Sequence, residues 1–336
     1  MASITNIAKL SGVSKATVSR ILNNDQSFSV SNTTKKRVLA VAEQLNYKLT
    51  STSGKGNVNQ LHIGIVNCLS TEDELRDPYF RTIKDGIEEQ VKLWGMSITV
   101  EVRPSDSDHD WQAFAALGAV IVIGTLMDDV LAAIYRYNQN VVIVNDTRHF
   151  ANYDVITNDF GYQTGQVLTM MKAKGHQKIA FIGGQTDLKD DQFVASQSLV
   201  DVRATAYTTW MKLNGLEQYS STHIIEWSSE AAMETMRKIL QGTRPTAVLV
   251  ASDPQAVGVY RAIQEAGLTI PNDIAIASFD DINMVSFLYP ALTTVRPAAK
   301  EIGKQAVRVL RERVFDGWRA SVEVTVNSTL VVRESL

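Results

Sequence analysis

Residues 3–24 read SITNIAKLSGVSKATVSRILNN, and this stretch predicts two short helices joined by a tight turn. Ile4, Ile7, Ala8 and Ser11 recur at i, i+3, i+4 and i+7, one apolar face of a helix that Ser3 caps. Gly12 ends it, because a turn between two helices needs a residue that tolerates positive φ. Val13 then plugs the angle between the helices, and Ser14 caps a second helix over 15–22 that buries Val18, Ile21 and Leu22. The opposite face of that helix offers Lys15, Ala16, Thr17, Ser19 and Arg20 to a base edge or a phosphate. A third helix starts near Ser31 and turns Val38, Val41, Ala42 and Leu45 inward, with Lys35, Lys36 and Arg37 outward.

The charge distribution agrees with that reading. Residues 1–60 hold eight lysines and arginines against Asp25 and Glu43, a net of +6, so the remainder carries −9 of the overall −3. A small basic head on an acidic body is the footprint of a nucleic-acid reader attached to something else. The other use of such a head, three helices packed on the body with a solvated basic face, accounts less well for the agreement of turn, caps, apolar faces and charge.

IAKLSGVSKATVSRILNN, followed by VSNTTKKRV and AEQLNY, resembles the headpiece of the LacI/GalR family of bacterial transcriptional regulators. The resemblance implies that the helix holding Lys15, Ala16 and Arg20 enters the major groove and that these three read bases. Arginine suits bidentate contact with guanine, and alanine an apolar contact with a thymine methyl. It implies a palindromic operator read by a homodimer. The family pattern next has a proline, a short hinge helix and a leucine that wedges into the minor groove. This chain instead reads KLTSTSGKGNVNQ, with Gly56 nine residues beyond Tyr47, so residues 49–60 are expected to form a hinge that is disordered without DNA.

The expected organisation is a headpiece over 1–48, a hinge over 49–60 and a core over 61–336. In the core, LHIGIV (61–66), SITVEV (97–102), AVIVIG (119–124) and NVVIVN (140–145) read as buried parallel strands. A second group follows at IAFIGG (179–184), HIIEW (223–227), TAVLVAS (246–252) and IAIASFDD (274–281). Helices are expected near 79–94, 161–174, 202–214, 231–241 and 256–266, while 96–118 is too short for a full helix with its connections. Two successive βα sets predict an α/β core of two doubly wound lobes facing a cleft, where ligands sit beyond the carboxyl ends of the strands. This is similar to the periplasmic-binding-protein fold that the family uses as its sensor. DFGYQTG (159–165), KGHQKIAFIGG (174–184), the run 251–281 and PALTTVR (290–296) extend the resemblance through the core.

A sugar needs planar polar groups for its hydroxyl pairs and an aromatic ring for its apolar face. By resemblance to sugar-responsive members, Arg203 clamps hydroxyls, Trp227 stacks, and Ser252 and Asp280 contact the ligand, with Asn145 completing the set from the other lobe. Each also has a structural use. Trp227 can pack at a strand end, Asp280 and Asp281 can cap the next turn, and Arg203 can lie exposed on its helix. Tyr79 and Phe80 either cover the cleft or pack in the core, and Asp253 is expected to cap the helix that begins at Pro254.

There is no nucleophile elbow, phosphate loop, G-x-G-x-x-G after a strand, or metal-ligand cluster among the five histidines, which argues against an enzyme. Neither a cofactor nor a metal is expected. No segment approaches the ~20 apolar residues of a membrane helix, and MASITN lacks a signal pattern, so a cytoplasmic chain with no membrane partner is expected. A sugar-binding transport component would carry an export signal and no basic head. Cys68, the single cysteine, excludes an internal disulfide and reads as a small apolar residue at a strand end. The tail TLVVRESL lacks the heptads of a tetramerising coil. The expected function is a sequence-specific repressor of a carbohydrate operon controlled by a small sugar, with a galactoside preferred. A purine- or corepressor-responsive regulator of the same family is the alternative, and a purine would favour a more aromatic cleft.

Overall fold

Three predicted helices form at the N-terminus of the computed structural model, which describes residues 4–22, 30–44, 61–76, 78–106, 109–317 and 319–336. They are α1 (Ile4–Ser11), α2 (Lys15–Leu22) and α3 (Asn32–Gln44). Gly12 takes φ +65° between the first two, and Val13 N–H closes the turn on the Ala8 carbonyl at 3.2 Å. Ser14 accepts from Thr17 N–H at 3.1 Å and Ser31 from Thr34 N–H at 3.2 Å, so both helices carry serine caps, each worth about 1 kcal/mol. Ile7, Ala8, Val18, Ile21, Val38 and Ala42 form the core of this unit. The expected cap Ser3, the core residue Leu45, the side chain of Leu22 and the hinge 49–60 lie outside the described residues.

The chain divides into two compact units, Met1–Lys55 and Gly56–Leu336. The second opens with β1 (His62–Asn67), α4 (Thr71–Arg76), α5 (Pro78–Leu93), β2 (Ser97–Val102), β3 (Ala119–Ile123), α6 (Asp128–Tyr137), β4 (Val141–Val144) and β5 (Asp154–Asn158). Among the described residues between β2 and β3 there is a 3-10 turn, Trp111–Ala116, and no α-helix, where the sequence was too short for one. The chain then runs through α7 (Phe160–Ala173), β6 (Ile179–Gly183), β7 (Gln185–Lys189), β8 (Ala195–Val200), α8 (Val202–Leu213) and β9 (Ser221–Ile224). It closes with α9 (Ser229–Gln241), β10 (Ala247–Val250), α10 (Asp253–Glu265), β11 (Ala275–Phe279), β12 (Thr293–Arg296), α11 (Ala299–Phe315), β13 (Glu323–Val326) and β14 (Thr329–Val331).

Two six-stranded sheets result, in the orders β13-β5-β4-β3-β1-β2 and β14-β12-β11-β10-β6-β9, with β7 and β8 forming a separate hairpin. Every pairing in the two large sheets is parallel except β12 with β14. Helices cover both faces of a parallel sheet, which is why β3, β4, β10 and β11 are buried along their whole length and read as continuous apolar runs.

The lobes are not simply successive halves of the core. After β12 the chain returns to the first lobe, where α11 packs on α5 and β13 joins the sheet beside β5, before β14 goes back to the second. Two glycines permit the helix crossing: a Cβ on Gly303 would stand 2.0 Å from the Ile83 carbonyl oxygen, and one on Gly86 2.1 Å from that of Lys300. Three strands of chain therefore connect the lobes. The sequence pattern missed the return because β13 and β14 are short and half exposed, without a buried run to mark them.

Candidate functional site

The headpiece presents Lys15, Ala16 and Arg20 at the surface of α2, with Thr17 and Ser19 partly covered. The Thr17 hydroxyl lies 2.9 Å from that of Ser14, so it is part of the helix cap as well as of this face. Lys36 and Arg37 are exposed on α3, and Lys35 is partly covered.

In the core, positions just past successive strand ends converge on one cavity of about 330 Å³. Cys68 follows β1, Asn145 follows β4, Trp227 comes after β9, Ser252 after β10 and Asp280 directly after β11. Arg203, in the first turn of α8, completes the wall. All five residues expected at the effector site, Asn145, Arg203, Trp227, Ser252 and Asp280, thus line the same space, and they come from both lobes.

Arg203 is not an exposed helix residue but is only 9% accessible. Its Nε and Nη2 donate to the two Asp201 oxygens at 2.8 and 2.9 Å, and Nη1 donates to the Ala251 carbonyl at 2.6 Å. The same Asp201 caps α8 through Arg203 N–H. Burial alone would raise the Asp201 carboxyl, but the guanidinium charge and these hydrogen bonds hold it below the usual range. The guanidinium carbon lies 5.0 Å from the centroids of both Phe160 and Trp227, a stacked arrangement that fixes a flat cation against aromatic faces. Trp227 is 41% exposed, and its indole N–H donates to the Gln185 carbonyl at 2.9 Å. Directly beneath the ring is Gly184, where a Cβ would come within 2.3 Å of it.

On the first lobe Asn145 adopts φ +65° and its Oδ1 accepts from the Tyr79 hydroxyl at 2.9 Å and from Asn158 Nδ2 at 3.1 Å. Tyr79 therefore does both things expected of it, packing in the core and reaching the cavity. Phe160 and Asn158 escaped the sequence reading, although Phe160 lies within the DFGYQTG motif and Asn158 directly precedes it. Asn158 accepts from Phe160 N–H at 3.0 Å and so places the ring at the start of α7.

Asp280 and Asp281 both have positive φ, at 105° and 48°, a conformation that aspartate tolerates better than most residues. Consecutive twists send the two carboxyls apart. Asp280 faces the cavity, while Asp281 takes Arg296 at 2.5 Å and Arg333 at 2.6 Å and caps nothing. The cap of α10 is Ser252, accepting from Gln255 N–H at 3.4 Å, and not Asp253. Asp253 instead turns inward, fully buried, and accepts from Ser278 Oγ, Thr294 Oγ1 and Ile282 N–H. The sequence misled because both residues of Ser-Asp-Pro are good caps, and only the hydroxyls within β11 and β12 decide between them. Cys68 at the cavity wall is buried, which pushes its thiol up and leaves it neutral. No described helix is long and apolar enough to cross a membrane.

A helix-turn-helix unit followed by a two-lobed core with a cavity at its strand ends defines a ligand-binding DNA regulator. Residues 3–49 match the bacterial regulatory proteins of the lacI family, and residues 168–336 match the periplasmic binding protein-like domain. The chain is 36% identical to the HTH-type transcriptional repressor MelR of Bacillus subtilis (strain 168), over 100% of this chain and 97% of that protein. It is 31% identical to the HTH-type transcriptional regulator GanR of the same organism, over 100% of both. The structure of a transcriptional regulator CelR–cellobiose complex shares the fold with a TM-score of 0.69 at 21% identity, covering 100% of both chains. The protein belongs to the lacI family and is a DNA-binding transcriptional regulator rather than an enzyme.

Proposed function

We propose that the protein is a homodimeric repressor of carbohydrate-utilisation genes whose hold on a palindromic operator is changed by a small sugar bound between the lobes. The observation that carries this is the convergence of strand-end residues from both sheets on one cavity around the stacked Arg203 and Trp227. A ligand that touches both lobes binds their open and closed arrangements unequally, which is what a change in DNA affinity requires. One headpiece reads a half-site, so a palindrome calls for two chains. The repressor MelR and the cellobiose complex of CelR support the reading. Four rings, Tyr79, Phe80, Phe160 and Trp227, line the cavity, and this favours a purine as the second reading. A thermal-shift screen over sugars, sugar phosphates and purines separates the two, and retention of a palindromic fragment from upstream of the gene tests the regulator itself.

Arg20→Ala is expected to remove a base contact worth about 1–3 kcal/mol and relax specificity at one operator position. Lys36→Ala is expected to weaken all DNA alike by loss of a phosphate contact. Affinities for operator and random DNA check both, and equal losses on the two DNAs for Arg20→Ala would remove its assignment as a base reader.

Gly184→Ala is expected to push the Trp227 ring aside and weaken sugar binding roughly 2- to 10-fold, the scale of one stacking contact. The half-exposed indole has room to move, so the melting temperature should change little. Sugar titration followed by tryptophan fluorescence reads the effect, and unchanged affinity would show that the ring does not stack on the effector.

A further inference from the structure

The β7–β8 hairpin belongs to neither large sheet. It leaves the second lobe between β6 and α8, yet its far end is fastened to the first. Met127 N–H donates to the Lys189 carbonyl at 2.8 Å, Lys189 N–H to Thr125 at 3.1 Å, and Thr125 Oγ1 to the Asp187 carbonyl at 2.8 Å. At the turn, the Trp111 indole donates to Asp191 at 2.7 Å, and Phe193 is buried in the apolar cluster that holds Trp111, Phe114 and Leu126. The near end is held by the Trp227 hydrogen bond to Gln185. Strand β7 therefore crosses the cleft wall from Trp227 to Thr125 as a fixed strip, ~13 Å long at ~3.3 Å per residue.

Alternation puts Gln185, Asp187 and Lys189 on one face of this strip, and Gln185 Nε2 bridges to Asp187 Oδ1 at 3.3 Å. Ser198 on the partner strand donates to the same carboxylate at 2.7 Å. Gln185, Asp187 and Lys189 all line the cavity. The lining holds the carboxylates of Asp73, Asp187, Asp201 and Asp280 against the cations of Lys189 and Arg203, and Arg203 is tied to Asp201. Its balance of charge repels an anion.

We propose that the hairpin makes the cavity a two-ring site for an uncharged disaccharide. One ring lies at Arg203, Trp227 and Asp280, and the second lies along the strip, with Asp187 accepting from its hydroxyls. Because both ends of the strip are pinned, its acceptor is in place before the ligand arrives, so its contact is made at low ordering cost. The proposal rests on the sugar-effector reading and adds to it the size and charge of the effector.

Calorimetric titration of the full-length protein with melibiose, lactose, cellobiose, galactose, glucose and galactose 6-phosphate tests it, using wild type, Asp187→Ala, Asp187→Asn and, as a control on the exposed turn, Gln192→Ala. At least one disaccharide is expected to bind ten-fold or more tighter than the monosaccharides and the phosphate. Asp187→Ala should erase that margin while leaving monosaccharide affinity and melting temperature unchanged, Asp187→Asn should restore part of it, and Gln192→Ala should match wild type. A monosaccharide or the phosphate binding as tightly as every disaccharide, or Asp187→Ala weakening one-ring and two-ring sugars equally, overturns the two-ring site and leaves the sugar reading standing. If none of the six sugars binds wild type, the sugar reading fails and takes this proposal with it.

Discussion

Asp253→Ala is expected to destabilise the second lobe by about 3–9 kcal/mol, since it strands two buried hydroxyl donors and one part-buried N–H at about 1–3 kcal/mol each. Asp253 is fully buried, and its oxygens accept from Ser278 in β11, Thr294 in β12 and Ile282 N–H, the last at 2.9 Å. It ties the first turn of α10 to two strands and to the segment after Asp280, so the loss would reach the cavity wall. A cost of this size approaches the whole stability of many domains. Burial pushes the Asp253 carboxyl up to about 7, against the pull of its hydrogen bonds. The folded state thus holds a proton that the unfolded chain, with an ordinary carboxyl, releases above about pH 4. The stability from this group is complete at low pH and is lost as pH rises towards 7. The difference in melting temperature between wild type and Asp253→Ala should accordingly be larger at pH 5 than at pH 8. Equal differences at the two pH values would show that the carboxyl ionises normally.

Arg203→Ala carries the second large effect. Sequence alone suggests a folded, operator-binding protein that no longer answers its effector. The Asp201–Arg203 pair changes that expectation: removing the guanidinium leaves the Asp201 carboxylate 6% accessible and uncompensated, which costs about 3–5 kcal/mol. The Ala251 carbonyl also loses its donor, and Phe160 and Trp227 lose the cation between them. Denaturant unfolding should therefore show a destabilised core in Arg203→Ala. Arg203→Lys keeps the charge but not the flat fork, so it should recover much of the stability and little of the effector response. Unfolding free energy within about 1 kcal/mol of wild type for Arg203→Ala would contradict the buried-pair description.

Much of the architecture is legible in the sequence because parallel strands buried on both faces leave apolar runs. A binding site at their carboxyl ends can then be located by counting one or two residues on. Asn145, Trp227, Ser252 and Asp280 stand at or near the ends of such runs, but it is the resemblance to sugar-responsive members that singles them out as ligand contacts. The parts that stay hidden are those set by distant partners. Exposed β8, with ASQSLV open to solvent, has no apolar run, and its pairing with β7 becomes evident only once Phe193 is seen packed in the first lobe. The return of α11 to α5 depends on Gly86 and Gly303 meeting opposite backbones more than 200 positions apart in sequence. Asp253 shows the same limit at the scale of one side chain, since its local sequence is that of a cap and its role is set by β11 and β12.

Operator occupancy measured against effector concentration tests the central claim most directly. Full-length protein is held on a labelled palindromic fragment, and the sugar that most raises the melting temperature is titrated in, for wild type and for Trp227→Ala. Wild type is expected to change its operator affinity by about 5- to 150-fold, the usual range of coupling between two sites, and Trp227→Ala to need more sugar for the same change. Operator affinity that stays constant while the sugar saturates the core would contradict the account.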